Sequence, residues 1–393
     1  MQQKLLEYLR TELTKEHKDR RECGSGLLGG DFGETLALFM LNRQFGLPQY
    51  DAERLLDKTL NEIHHHRMMA TYCNGLAGTG IGLMLLADKG FIELDSDALG
   101  DFDAYLSRAM AAFIEQGNFD LLHGSTGIAL YFTKRSDMAR ESAREALAAY
   151  VNSLEKALVK TTGDDGAEYA WCRMKKDFSQ EERNISMSHG LSGIANVLAQ
   201  IYARHILPAT VDKKAKEIIE ALTRTILAQR IDFTKYRSAF PSYYKSADEQ
   251  GRFSRLAWCY GDLGILATLS MVAVTTGNAS LAARIEPLVL AQTTRRCPEH
   301  TYVRDACVCH GAAGIYAFFR HFSRRQPDNG PLRLAADYWK DYILALPLDR
   351  LCYDPISKTY SKQYSILNGY AGIALAHLDD YSILDKLLLY ERI

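Results

Sequence analysis

Residues 307–319 read CVCHGAAGIYAFF, in which two potential metal ligands, Cys309 and His310, stand directly before a Gly-x-x-Gly unit and an apolar run. Adjacent residues rarely both face a core, so packing alone explains this pair poorly. The run that follows the glycines is apolar on all sides, which is typical of a buried helix. The stretch therefore predicts a buried helix with a Cys-His pair at its N-terminus.

The same glycine unit recurs seven times along the chain. The copies begin 45 to 71 residues apart, at Gly30, Gly75, Gly124, Gly190, Gly261, Gly311 and Gly369. Six of the seven continue into an apolar run, and each interval leaves room for an amphipathic helix such as DKKAKEIIEALTRTILAQ, residues 212–229. Repeats of this kind predict helical hairpins stacked side by side, with apolar inner helices and amphipathic outer helices.

Seven hairpins could run open as a solenoid or close into a ring. Closure would hide both terminal repeats, and neither end of the sequence carries an obviously polar cap. We therefore predict an all-α fold, a double-layered α/α toroid of seven helical hairpins, with residues 1–393 as a single domain. In each repeat we expect one glycine to permit the turn into the helix and the other to let neighbouring backbones approach closely.

The composition argues against several classes of function. The 47 Lys and Arg residues balance 48 Asp and Glu residues, so nothing in the overall charge favours nucleic acid or an anionic membrane as a partner. No apolar stretch is long enough for a membrane span, and the N-terminal segment has the pattern of a charged amphipathic helix rather than of a signal peptide. Eight thinly spread cysteines indicate thiols or metal ligands rather than disulfides. We expect a cytoplasmic protein.

Metal-ligating residue types concentrate just before the glycines of the fourth, fifth and sixth repeats, as His189, Cys259, Cys309 and His310. If the inner helices run in the same direction, these residues lie at one end of the fold. Two thiolates and one imidazole suit Zn²⁺, and helix N-termini stabilise thiolates. Three protein ligands with an open fourth position are typical of a catalytic zinc site. The pattern predicts such a site at Cys259, Cys309 and His310.

One further cysteine competes for this role. Cys307 stands two residues before Cys309 and could substitute as a ligand, although it breaks the register of the repeats. The remaining cysteines are expected to be small buried core residues, namely Cys23, Cys73, Cys172, Cys297 and Cys352.

Three stretches resemble the lanthionine synthetase C family, and with the seven repeats the resemblance covers essentially the whole chain. They are AWCYGDLGI (residues 257–265), CHGAAGI (309–315) and SHGLSGIA (188–195). The resemblance implies a toroid of seven inner and seven outer helices, with one Zn²⁺ per chain held by Cys259, Cys309 and His310. It also implies a peptide cyclase that adds Cys thiols to dehydroalanine or dehydrobutyrine by Michael addition. The products would be lanthionine or methyllanthionine thioether rings in a ribosomally made precursor peptide.

The resemblance implies catalytic roles for three more residues. His189 would protonate the α-carbon of the enolate, Asp120 would orient or charge a histidine or assist thiol deprotonation, and Arg255 would stabilise the enolate oxygen. Arg255 stands four residues before Cys259, about one turn away if that segment is helical. Simpler readings stay open: a structural histidine, a helix cap, and a solvated arginine with Arg252 as its competitor. His123 matches no family role and is expected to be structural.

The implied partners are a dehydrated precursor peptide with leader and core, and a separate lanthipeptide dehydratase, for which 393 residues leave no room in this chain. A transporter could hold the cyclase in a complex at the inner face of the membrane. The aromatic stretch FPSYYKS, residues 240–246, is either the rim of a peptide groove or merely structural.

Two other functions remain. Eukaryotic relatives of this family add glutathione to dehydroamino acids in proteins, and no glutathione pocket can be recognised or excluded from the sequence. A non-catalytic binding protein could also keep the toroid, although it would have no need of the complete set of predicted site residues.

Overall fold

The computed structural model describes residues 1–15, 26–65, 69–138, 141–172, 184–241 and 253–393. These residues form seventeen α-helices. The helices are α1 (Gln2–Thr14), α2 (Asp31–Gln44), α3 (Tyr50–His65), α4 (Leu76–Asp88), α5 (Gly100–Glu115), α6 (Ser125–Arg135), α7 (Glu141–Ala157), α8 (Leu191–Tyr202), α9 (Ala209–Ala228), α10 (Phe233–Tyr236), α11 (Asp262–Thr275), α12 (Ala279–Gln292), α13 (Pro298–Thr301), α14 (Ala312–Arg325), α15 (Gly330–Ala345), α16 (Tyr370–His377) and α17 (Ser382–Leu387).

The described residues also contain short 3₁₀ turns and two small antiparallel sheets. The 3₁₀ turns are Ser96–Leu99, Ser136–Met138 and Leu348–Arg350. Strand β1 (Leu158–Thr162) pairs with β2 (Glu168–Cys172), and β3 (Tyr353–Asp354) pairs with β4 (Thr359–Tyr360). No helix in these parts of the chain is long and apolar enough to cross a membrane.

All seven glycine repeats form the predicted inner helix. Each of these helices begins directly after the first glycine of its repeat, and they are α2, α4, α6, α8, α11, α14 and α16. In α4 every residue from Leu76 to Leu86 is buried, as is the whole of α16. Burial on all sides is what an all-apolar helix requires, so the prediction of inner helices is confirmed.

The helices between them bury a single face, as predicted. Helix α7, for example, buries Leu147, Tyr150, Val151 and Leu154 at helical spacing, and most of its exposed positions are polar or charged. Helix α9 covers all but the last residue of the stretch that the sequence marked as amphipathic, residues 212–229, and begins three residues earlier. The charged N-terminal segment likewise forms an amphipathic helix, α1.

The chain folds into two compact units. The first consists of Met1–Phe102 and Val303–Leu388, and the second of Asp103–Tyr302 and Leu389–Ile393. In the first unit α16 packs against α2 and α14, and α2 packs against α4. In the second, α8 packs between α6 and α11. That residues 1–393 form one domain stays a prediction.

In the first unit the last repeat of the chain meets the first one. The backbone N–H of Leu367 donates to the carbonyl of Leu28 at 3.0 Å, and the N–H of Leu28 donates to the carbonyl of Cys73 at 3.0 Å. On the other side the N–H of Cys309 donates to the carbonyl of Leu367 at 2.8 Å. The sixth, seventh, first and second repeats therefore form one continuous row. An open solenoid would leave its terminal repeats without this pairing.

The second unit uses the same link between repeats. The N–H of Leu122 donates to the carbonyl of Ser188 at 3.4 Å, and the N–H of Met187 donates to the carbonyl of Cys259 at 3.2 Å. The third, fourth and fifth repeats therefore follow one another in space, and the residues that precede their glycines are held by equivalent backbone contacts.

The first glycine of each repeat serves a different purpose from the expected one. These glycines have φ between −110° and −176°, extended backbone that any residue adopts, so the turn itself needs no glycine. A Cβ at Gly190 would instead lie 2.3 Å from the carbonyl oxygen of Asn184, and one at Gly261 would lie 2.3 Å from that of Arg255. The first glycine is required because the loop folds tightly against the start of its own helix.

The second glycine also lies against its own loop, since a Cβ at Gly193 would lie 2.4 Å from the carbonyl oxygen of Met187 and one at Gly264 would lie 2.1 Å from that of Trp258. At these two positions it adds the expected close approach to a neighbouring repeat. A Cβ at Gly193 would lie 3.0 Å from the Cβ of Leu121 in the preceding repeat, and one at Gly264 would lie 2.5 Å from the Cβ of Met187. The repeats can pack this closely because no side chain stands at these positions.

Candidate active site

The second unit brings together two of the residues predicted from the sequence. The Nδ1 atom of His189 lies 2.6 Å from Oδ2 of Asp120, although the two residues are 69 positions apart. Their side chains are 26% and 14% exposed, so the pair is shielded and a substrate can still reach the imidazole. Because a carboxylate only accepts, the proton of a neutral imidazole lies on Nδ1, and Nε2 is left for other partners.

Asp120 also stabilises its own loop through a hydrogen bond. Its Oδ1 atom accepts a hydrogen bond from the backbone N–H of His123 at 2.7 Å, while Oδ2 faces His189. Asp120 therefore stabilises its own loop and contacts a histidine of another repeat, whereas it does not cap helix α6. One oxygen fixes the turn, and the other is free to orient the imidazole.

The loops before α6, α8 and α14 share a turn that orients the residues directly before their glycine units. In each, the side chain six positions before the first glycine accepts from the backbone N–H two residues later, at 3.0 to 3.2 Å. The backbone carbonyl of the same residue accepts from the first N–H of the helix at 2.9 to 3.0 Å. The residues at this position are Asn118, Asn184 and Asp305. The equivalent turns explain why the residues before each glycine unit occupy similar places.

Two more rings border His189. The imidazole of His123 stacks on that of His189 with 5.7 Å between centroids and 21° between planes. The ring of Tyr260 lies 5.5 Å from His189 at 35°. Sequence reasoning did not single out Tyr260 and treated His123 as structural. Both occupy the position directly before the first glycine, as His189 does, and this shared register is the signal that could have identified them.

Arg255 does not lie on a helical turn. Residues 256–260 form bends, and Arg255 makes an isolated parallel bridge with Gly261. The helical segment that would have placed Arg255 one turn before Cys259 does not form, because the tight loop before Gly261 leaves no room for a helical turn. Arg255 is exposed, and its competitor Arg252 lies outside the described residues.

A buried ion pair anchors the loop that carries Cys259. Asp262, the first residue of α11, lies 2.9 Å from the guanidinium of Arg295, and both side chains are at most 1% exposed. Asp262 also accepts from the backbone N–H groups of Ala239 and Phe240, and Arg295 donates to the carbonyl of Ser254 at 2.6 Å. Three separate segments are thus tied to the start of α11. Cys259 itself is buried, three residues before this anchor.

In the first unit, Cys309 and His310 precede α14 and are both half-buried. His310 also belongs to a candidate metal-binding group with Asp305 and Cys307, whose ligand atoms all lie within 4.8 Å of one another. Burial raises the pKa of the Cys307 thiol well above its usual range, and the nearby charge of Asp305 acts in the same direction. Cys307 thus remains a thiol at neutral pH unless a cation binds. Asp305 was not anticipated from the sequence.

The comparisons with known proteins agree with one another. The family model described as "Lanthionine synthetase C-like protein" matches residues 21–383. The chain belongs to the lanthionine synthetase C-like family. The fold is similar to that of a solved structure titled "Nisin cyclase", with a TM-score of 0.72 and 16% sequence identity over 99% of this chain and 96% of that chain. This likeness confirms the predicted fold, an all-α double-layered α/α toroid. No curated protein sequence matches the chain.

The other cysteines of this lanthionine synthetase C-like protein mostly behave as expected. Cys73, Cys172 and Cys352 are buried, and burial raises the pKa of Cys172 to about 12. Cys297 is only partly buried, at the position directly before the short helix α13, so the expectation of a buried core cysteine is wrong for this residue. Cys23 lies outside the described residues, as do residues 242–246 of the proposed groove rim.

Proposed function

We propose that the protein is a zinc-dependent lanthipeptide cyclase. It would add Cys thiols of a dehydrated, ribosomally made precursor peptide to dehydroalanine or dehydrobutyrine, and so form lanthionine or methyllanthionine rings. The observation that carries the proposal is the Cys309–His310 pair at the start of α14, in a chain that matches the lanthionine synthetase C-like family over residues 21–383.

The ligands that would hold the zinc ion are Cys259, Cys309 and His310. The donor set fits, since two thiolates and one imidazole are ligands that Zn²⁺ prefers, and three of them leave a fourth position for a substrate. Each cysteine stands two residues before the first glycine of its repeat, next to a helix N-terminus whose dipole favours a thiolate. When bound, zinc would lower the pKa of the peptide thiol, ordinarily about 8.5, so that a thiolate is available at neutral pH.

His189 and Asp120 of the second unit would supply the proton that completes the addition. Attack of the thiolate sulfur on the β-carbon forms the C–S bond and moves the π electrons of the alkene toward the carbonyl, which gives an enolate. Protonated His189 would then deliver a proton to the α-carbon, and this completes the addition. Asp120 supports this role because its carboxylate oxygen, 2.6 Å from Nδ1, fixes the orientation of the ring and leaves Nε2 for the substrate. Arg255 would stabilise the negative charge on the enolate oxygen.

The proposed partners follow from this chemistry. The substrate is a precursor peptide with leader and core whose Ser and Thr residues have already been dehydrated, so a separate dehydratase must act first. A transporter could receive the product and hold the cyclase at the inner face of the membrane. We propose a cytoplasmic location and no nucleic-acid partner.

The first test compares the metal content and the activity of the wild type, Cys309→Ala and Cys297→Ala. We expect about one zinc per chain in the wild type, largely lost in Cys309→Ala and kept in the control Cys297→Ala. With a synthetic peptide that contains one dehydroalanine and one Cys, the wild type should consume the free thiol without a change of mass.

Two outcomes would contradict the proposal. A wild-type protein without zinc, even after expression in zinc-supplemented medium, would leave a toroid-shaped binding protein. Addition of glutathione to the dehydroalanine in preference to ring closure would instead assign the glutathione reaction.

A further inference from the structure

The proposed function makes no use of His123, although its ring lies in the candidate site. Its imidazole stacks on His189, with centroids 5.7 Å apart and an interplanar angle of 21°. Its backbone N–H binds Oδ1 of Asp120, the carboxylate whose Oδ2 faces His189. One carboxylate thus fixes the backbone of His123 and the ring of His189 relative to each other.

A hydrogen bond at Nδ1 alone does not fix the plane of an imidazole. The ring can still swing about the line from Nδ1 to its acceptor, and this motion sweeps Nε2 through an arc. A second ring stacked nearly parallel opposes the swing, because tilting would separate the two faces. Proton transfer to carbon needs the donor nitrogen close to one position, and a displacement of about 1 Å can reduce a rate on the order of 100-fold.

We propose that His123 is a positioning residue for the cyclisation, whose ring stacks on His189 and holds Nε2 in the orientation that protonates the α-carbon. This inference rests on the proposed function. His189 remains the residue that touches the substrate, and His123 acts through it.

The charge state of His123 is compatible with this role. Desolvation lowers the pKa of His123 although the residue is partly open to solvent, and a charge on His189 acts in the same direction, while Asp120 offsets part of the effect. In its neutral form His123 can therefore stack on His189 without placing a second charge beside it. Asp120 and Tyr260 are the other titratable groups of this unit whose contacts with the two rings or their backbone the structure describes.

Acidification should disrupt the stack. When the pH falls through the lowered pKa of His123, two like charges face each other across 5.7 Å and repel. The wild type should then lose activity on the acid side in a way that depends on His123.

The test compares His123→Ala with His123→Phe, which keeps an aromatic face and has no titratable nitrogen. With the dehydrated peptide, we expect His123→Ala to lower kcat roughly 10-fold and to leave KM within about 2-fold, since orientation rather than binding is lost. His123→Phe should recover most of that loss, and its activity should persist to lower pH than that of the wild type. As a control, His205→Asn replaces a histidine of the second unit that lies edge-on to Tyr202, outside the site, with a residue that tolerates its positive φ, and should leave kcat unchanged.

A spectroscopic measurement reports the same arrangement without activity. The ¹⁵N shifts of the His189 ring should indicate one fixed environment in the wild type and His123→Phe, and an averaged one in His123→Ala. Equal losses in the two His123 variants, or an unchanged kcat and an unchanged His189 signal in His123→Ala, would overturn the inference. If the wild type forms no rings, the proposed function fails, and the ¹⁵N signals still decide whether His123 positions His189.

Discussion

The loops before α8 and α14 have the same backbone and different chemistry. Both make the turn in which an Asx side chain accepts from the backbone N–H two residues later, and both end in a histidine directly before the glycine unit. His189 faces a carboxylate that comes from another repeat, Asp120. His310 instead lies within reach of a carboxylate and a thiol of its own loop, Asp305 and Cys307. The same loop backbone thus surrounds the two histidines with different side chains, and the proposed function uses this difference by assigning proton transfer to His189 and metal binding to His310.

The largest expected effect separates these two histidines. His189→Asn should lower the cyclisation rate by roughly 100-fold to 10,000-fold, as expected for the loss of a general acid, and should keep about one zinc per chain. His310→Asn should lose both activity and metal. Kinetics with the dehydrated peptide, beside metal analysis of each variant, makes the comparison. Loss of zinc in His189→Asn would mean that the two histidines do not have separate roles.

A second comparison concerns the loop of the fifth repeat, in which Arg255 replaces the Asx residue. Here the anchor is the buried pair of Asp262 and Arg295. Arg295→Met leaves a buried carboxylate unpaired, and we expect a loss of about 3–5 kcal/mol in the free energy of unfolding. The exposed pair of Arg144 and Glu141 offers a matched control, because Arg144→Met should change stability by less than about 1 kcal/mol. Urea unfolding of both variants measures the difference, and similar losses would contradict the anchoring role.

The smallest effect tests the close packing of the repeats. Gly193→Ala places a methyl group 2.4 Å from the carbonyl oxygen of Met187 and 3.0 Å from the Cβ of Leu121. We expect a loss of about 1–3 kcal/mol, since the backbone must shift to relieve the overlap. Gly330→Ala is the control, because a Cβ there meets nothing within 4 Å. Thermal unfolding of both variants would show whether the second glycine matters for packing, and an unchanged midpoint in Gly193→Ala would show that it does not.

The helices and their burial could be predicted almost completely from the sequence. Seven glycine units, six of them leading into an apolar run, determine where the inner helices begin, because a Cβ at the first glycine would overlap atoms of the preceding loop, as at Gly190 and Gly261. The amphipathic stretches between them determine the outer layer in the same local way. The site residues were predicted less completely than the helices. The register before the glycines singled out His189 and the three predicted zinc ligands, whereas Asp305 and Tyr260 were missed, and the helical turn considered for Arg255 does not form.

The sequence by itself determined the repeat, the inner and outer helices and the residues that precede each inner helix, since all of these follow from local sterics and periodic burial. Only the tertiary structure decided which of those residues meet. The pairs Asp120–His189 and Asp262–Arg295 join residues 69 and 33 positions apart, and the hydrogen bond from Leu367 to Leu28 joins the last repeat to the first. Such contacts depend on the distance and the rotation between neighbouring repeats. No periodic pattern in the sequence encodes this side-chain geometry.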